Sequence, residues 1–143
     1  MAIQGMFAVL KFKTGGVGSA NPWTDLTNVK DLTLTVEAGE ADVTTRANSG
    51  WRATLATLKE GTLEFEMVWE PGDAGFEAVK DAFLTGGIVG LAALDSAGAS
   101  AEGLVADFSI TNFSRAEPLE EAITVSVTAK VAVFSAWTTT GVA

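Results

Sequence analysis

Polar and apolar residues alternate over three stretches of the chain. From Val29 to Glu37, Leu32, Leu34 and Val36 fall on one side, with Asp31, Thr33, Thr35 and Glu37 on the other. From Thr62 to Glu70, Leu63, Phe65, Met67 and Trp69 oppose Thr62, Glu64, Glu66 and Glu70. From Ala122 to Phe134, Ile123, Val125, Val127, Ala129, Val131 and Val133 alternate with Thr124, Ser126, Thr128 and Lys130. A period of two rich in β-branched residues predicts half-buried strands. Residues 6–13, 88–94 and 103–115 read as further strands, the second of them buried on both sides.

One segment carries the other period. Pro71-Gly72 breaks a strand, and Asp73 is placed to cap a helix N-terminus. Phe76, Val79 and Phe83 then recur on one helical face, and Gly86-Gly87 stops the run. Between the first two alternating strands lies a long polar excursion, residues 38–61. It holds Arg46, Trp51, Arg52, Leu55, Leu58 and several threonines, and it predicts an extended hairpin with its tip near Ser49-Gly50. Residues 138–143 read as a loose tail. About seven strands and one helix, with no repeated β-α unit, predict a mainly β fold. The expected architecture is an antiparallel β-sandwich or barrel with one flanking α-helix and a long hairpin-like loop, all in one domain over residues 1–143.

Composition narrows what such a fold can do. The chain has no Cys and no His. That removes thiolate nucleophiles, Ser-His-Asp triads and His-based zinc sites. No catalytic residue, metal ligand or cofactor site is expected. Glu64 and Glu66 share one strand face, which would suit a carboxylate pair, but a polar face opposite a buried one explains them fully. Gly15-Gly16-Val17-Gly18 lacks the Lys and the strand-turn-helix setting of a phosphate loop.

Charged residues are only 19% of the chain, few for a surface that meets water on all sides. The net charge of −9 argues against standing attraction to nucleic acid. No stretch has the apolar length to cross a bilayer, and Met6 to Leu10 is too short for a secretory segment. Synthesis in the cytoplasm is therefore expected. Trp69 fits the core face of its strand. Trp51 stands among polar residues, where it either folds back on its own domain or anchors a subunit interface. Trp23 and Trp137 lie near element ends, placed to seal the domain edges.

The order of these segments carries a resemblance. Trp23-Thr24-Asp25-Leu26-Thr27-Asn28-Val29-Lys30-Asp31-Leu32-Thr33 is followed by the excursion around Arg46 and Trp51-Arg52-Ala53-Thr54. Next come Leu63 to Asp73, running through Trp69 into Pro71-Gly72, and finally Glu120-Glu121-Ala122-Ile123-Thr124-Val125-Ser126-Val127. From about Trp23 to Val133 the chain resembles the major tail tube proteins of long-tailed, non-contractile phages, including that of phage lambda. It departs at the C-terminus, where the lambda protein has an additional immunoglobulin-like domain and this sequence has none. The tube function is expected to survive that difference and a decoration role to be lost.

The resemblance implies a structural virion protein of the tail, assembled in the host cytoplasm into stacked hexameric rings that conduct the genome on ejection. Its implied partners are copies of itself, a tape measure protein, the tail tip or baseplate, and a tail terminator. DNA is implied to pass through transiently. Arg46, Trp51, Arg52, Leu55 and Leu58 are the expected inter-subunit contacts, and Glu64 and Glu66 the expected lumen-facing residues. An acidic wall suits a DNA conduit, because it repels phosphates. Two other readings remain at this point. One is the inner tube of a contractile tail or injection system. The other is a carbohydrate-binding or adhesin-type β-sandwich, against which the absence of Tyr counts mildly.

Overall fold

The computed structural model describes residues 2–142. Seven strands and one helix follow in the order β1 (Val9–Thr14), β2 (Thr24–Asp25), β3 (Val29–Asp42), β4 (Thr54–Val68), α1 (Ala74–Thr85), β5 (Ile88–Leu94), β6 (Gly103–Ala116) and β7 (Thr124–Thr138). All strand pairs are antiparallel. They form one continuous sheet in the order β2-β1-β5-β6-β7-β4-β3.

That order forces the sheet to curl. Strands β2 and β3 are the two opposite edges, yet only residues 26–28 join them. Such a link spans little more than about 13 Å, so the edges must approach one another. The expected sandwich or barrel thus takes the form of a single sheet rolled around its own core. Leu10 and Phe12 of β1, Leu63, Phe65 and Met67 of β4, and Val125 and Val127 of β7 meet inside it. Helix α1 contributes Phe76, Val79 and Ala82 to the same core. Asp73 caps the helix by accepting from the Phe76 N–H (3.1 Å), and Gly86 ends it in the left-handed conformation (φ 72).

The outer face of β1, β5 and β6 has its own cover. Ala92, Leu94, Ala101 and Val105 pack there against Val17, Trp23 and Val142. The loop after β1 lies so close to Gly90 that a Cβ there would stand 3.0 Å from Val17 N. Asp107 pins the crossing by accepting the Val17 N–H (2.6 Å).

Several boundaries differ from the sequence reading. Residues Gly5–Phe7 form a short 3-10 turn, so the first strand starts later than residue 6. Strand β3 runs on to Asp42 and β4 starts at Thr54, because a backbone ladder needs no burial to continue. Val133, expected inside, is exposed, since the core ends at Ala129 and Val131 while β7 continues beyond it. The tail expected to be loose is tied back: Gly141 N–H donates to the Ala101 carbonyl (2.9 Å), and Val142 packs on the second cluster. Residue 143 lies outside the described residues.

Candidate assembly surface

The excursion is a two-stranded ribbon. Val36 faces Gly61, Glu37 faces Glu60 and Asp42 faces Thr54, with a bulge between Ala38 and Glu40. No residue from Thr35 to Glu60 is buried. Leu55 sits opposite Ala41, and Leu58 lies at the bulge, both exposed to solvent. Within the subunit nothing covers either side chain.

The tip is ordered by its own short polar side chains. Asp42 Oδ1 accepts from the Thr44 N–H (2.9 Å) and the Thr44 hydroxyl (2.5 Å). The Thr44 hydroxyl in turn accepts the Ala53 N–H (2.9 Å), which ties the two arms of the loop together. Asn48 Oδ1 accepts the Thr45 N–H (2.6 Å) around a 3-10 turn at Arg46–Asn48. Ser49 (φ 54) and Gly50 (φ 87) then reverse the chain in the left-handed region. The Thr44 hydroxyl, followed by its N–H, holds the Asp42 carboxyl below the usual carboxylate range. This scaffold gathers Arg46, Trp51 and Arg52 around a concavity of about 600 Å³, with Thr44, Thr45 and Gly50 completing the lining. Trp51 is 78% exposed and does not fold back on the domain.

Glu64 and Glu66 point away from the core, because Leu63, Phe65 and Met67 between and beside them are buried. Glu64 stands between Thr33 of β3 and Thr128 of β7. Glu66 lies 3.9 Å from the Lys30 ammonium, and Glu60 lies 3.4 Å from that of Lys130. The structure therefore groups Arg46, Trp51 and Arg52 at one point, strings Leu55 and Leu58 along the ribbon behind them, and sets Glu64 and Glu66 apart on the polar face of the body.

The remaining tryptophans have separate duties. Trp69 meets Phe76 edge-on (4.9 Å between centroids) beneath the Arg115 guanidinium. Trp23 packs on the second cluster with Lys13 over its ring. Trp137 donates its indole N–H to Glu102 (2.7 Å) while its ring stays half exposed. Sequence reasoning missed Phe134 and Val133, which with Trp137 form an uncovered apolar end of β7. Unbroken alternation hid them, since it continues past the point where the core stops.

The sequence profile of the phage tail tube protein family matches residues 2–133. The chain belongs to that family. The tail tube protein fold is also that of several solved structures. The tail of an empty gene transfer agent particle, solved with C6 symmetry, superposes with a TM-score of 0.79 at 17% identity, covering 96% of this chain and 99% of that one. The SPP1 tail tube gives 0.77 at 14% identity, over 99% of this chain and 81% of that one. A chain of the anti-feeding prophage baseplate gives 0.60 at 10% identity, over 90% of each chain. No curated protein matches this tail tube protein in sequence. Among the described residues no group of three or more Asp or Glu comes together in a way that could hold a metal ion.

Proposed function

We propose that this tail tube protein is a structural subunit of a virion tail, assembled in the host cytoplasm into stacked hexameric rings through which the genome leaves. Its role is to build a wall, and no catalytic step is assigned to it. The observation that carries the reading is the ribbon: residues 36–42 laid against residues 54–60, apolar-bearing strand of which no residue is buried in the subunit. Family membership and the C6 symmetry of the gene transfer agent tail support six-membered rings. A tape measure protein, a tip or baseplate and a terminator are the further partners this role requires.

In this reading Arg46, Trp51, Arg52, Leu55 and Leu58 contact neighbouring subunits. Glu64 and Glu66 face the lumen. Strand β3 is a long open edge, and pairing or covering such edges is what keeps strands from promiscuous association. The likeness to the anti-feeding prophage baseplate chain favours one second reading, the tube of a contractile injection system. A sheath gene beside the subunit's own would select it.

The test removes the ribbon. Glu37 and Glu60 face each other in register, so residues 38–59 can be replaced by a short Gly-Ser turn without disturbing the core. The expected product is a folded monomer that makes no tubes by negative-stain microscopy. Normal tubes from that variant would sink the assignment of the ribbon to assembly.

A further inference from the structure

The tip is a cationic patch on an acidic protein. The chain carries three arginines, and two of them, Arg46 and Arg52, lie in the loop 43–53, which contains no acid. They flank an exposed Trp in a formed concavity. Arginine beside an aromatic ring is suited to a carboxylate with an apolar neighbour, because the guanidinium binds carboxylate oxygens in pairs while the ring covers apolar surface.

One segment of the same chain has the complementary form. The turn between β6 and β7, Glu117-Pro118-Leu119-Glu120-Glu121, has three carboxylates and no base. Leu119 at its crest is 100% exposed. Its base is held firm. Glu117 takes a 2.8 Å ion pair from Arg115, and the Arg115 guanidinium lies over the Trp69 ring, 4.8 Å from its centroid. Glu120 and Glu121 have no ion-pair partner among the described residues.

Placement excludes a contact within one subunit. Thr54, at one end of β4, pairs with Asp42 next to the tip, whereas Val68, at the other end, pairs with Thr124 next to the turn. At about 3.3 Å per residue the length of β4 separates the two by roughly 45 Å. Two complementary patches at opposite ends of one body make a head-to-tail contact between copies; such contacts close into a ring or run on along an axis, and patches separated along the length of the body suit the second.

We infer that the tip concavity of one subunit grips the Glu117–Glu121 turn of a second copy in the adjacent ring, with Arg46 and Arg52 on Glu120 and Glu121 and with Leu119 against Trp51. This rests on the ring-stacking reading above and adds the partner to it. It makes stacking directional, since like ends carry like charge and repel. It also makes stacking sensitive to salt, because the paired groups start out exposed.

Charge reversal tests it in the full chain. Three variants are compared with the unmodified protein: Arg46→Glu with Arg52→Glu, Glu120→Arg with Glu121→Arg, and all four changes together. All four positions are exposed, and unchanged thermal melting of each variant confirms the fold. Either reversal alone is expected to cut tube mass at least about tenfold at fixed subunit concentration while rings persist, and the fourfold variant to recover most of it. A fourfold variant no better than the weaker pair, or normal tubes from the turn reversal, would overturn the inference. So would loss of labelled single-stranded DNA binding on tip reversal with tubes unaffected, which would make the tip a nucleic-acid contact. Absence of both rings and tubes from the unmodified chain would instead strike down the stacking reading on which this one stands.

Discussion

Leu63 and Leu58 lie on the same strand, β4, with opposite fates. Leu63 is fully buried, with 0% of its surface exposed, and Leu58 is 88% exposed. The same strand with the same kind of side chain serves folding at one end and the surface at the other. From Gly61 to Met67 every second residue enters the rolled sheet, and from Thr54 to Glu60 none does. What separates the halves is what lies on either side of them. The body half has β7 alongside it, from Thr62 to Val68, and α1 among the groups that close its core. The ribbon half has β3, one ion pair at its root from Glu60 to Lys130 of β7, and otherwise water. A strand can thus be extended beyond its domain by hydrogen bonding alone, and its apolar residues are then available to a neighbour.

The sharpest way to break this contrast is truncation at both sites. Leu63→Ala opens a cavity in a closed core and should lower the unfolding free energy of the dilute subunit by about 2–5 kcal/mol. Leu58→Ala removes nothing that the subunit itself packs and should stay within about 0.5 kcal/mol. Urea denaturation measures both. Equal losses would mean that ribbon and body fold as one packed unit.

Trp51→Ala probes the same contrast at the tip. The side chain touches no core residue, so the melting temperature of the subunit should hardly move. Its loss from an interface should cost about 2 kcal/mol or more per contact, raising the concentration needed for assembly by roughly thirtyfold. Light scattering against subunit concentration reads that shift. A fall in melting temperature with assembly unchanged would place Trp51 inside the subunit after all.

The contrast also explains which features the sequence disclosed. Burial writes alternation, so the body strands, the helix with its Asp73 cap and the core positions of Leu63, Phe65 and Met67 were legible. The ribbon has no buried face, hence no alternation; its hairpin form and its tip near Ser49-Gly50 were legible from the turn residues, but the register of its arms and their ends at Asp42 and Thr54 were not. The error ran the other way at Val133, where alternation outlasts the core. The proposed contact residues Arg46, Trp51 and Arg52 could be picked out as types, Trp and Arg in a polar setting. Their assembly around one concavity depends on the Asp42, Thr44 and Asn48 hydrogen bonds, which no periodicity encodes. The facing of Phe134 and Trp137 depends on register shifts between β6 and β7, equally invisible in a single sequence.

On the body, the polar face of β4 offers a gentler test of the lumen assignment. Glu66 is compensated by Lys30, so a Lys in its place would set two ammonium groups together. Glu64 has no ion pair among the described residues and is the cleaner probe. Glu64→Lys should leave subunit stability and tube yield near normal, because no packing is lost. In a lumen it would exchange a ring of repelling charges for a ring of attracting ones, slowing genome ejection at low salt and less so at high salt. Ejection kinetics that match the parent at low salt, in virions verified to carry the change, would place Glu64 on the outside.

The smallest effect expected is at the base of the tip, and it separates order from burial within the ribbon itself. Asp42 is exposed, and its carboxyl is held below the usual range by Thr44. A carboxyl with a lower pKa in the folded state stabilises that state above its unfolded pKa. The contribution fades as pH falls through the lowered value. The loop 43–53 should therefore keep its order through neutral and mildly acidic pH. It should loosen only below the ordinary carboxylate range, while the body strands stay protected by packing. Hydrogen exchange of the dilute subunit reads this locally, once rates are corrected for the intrinsic pH dependence of amide exchange. Protection at Ala53, whose N–H is held by the Thr44 hydroxyl, should drop before that at Phe65 or Val127. Asp42→Ala should produce the same local loss at neutral pH and remove the acid transition. Unchanged protection at Ala53 in that variant would show that the tip is ordered by its backbone turns alone, with the Asp42 carboxylate a bystander.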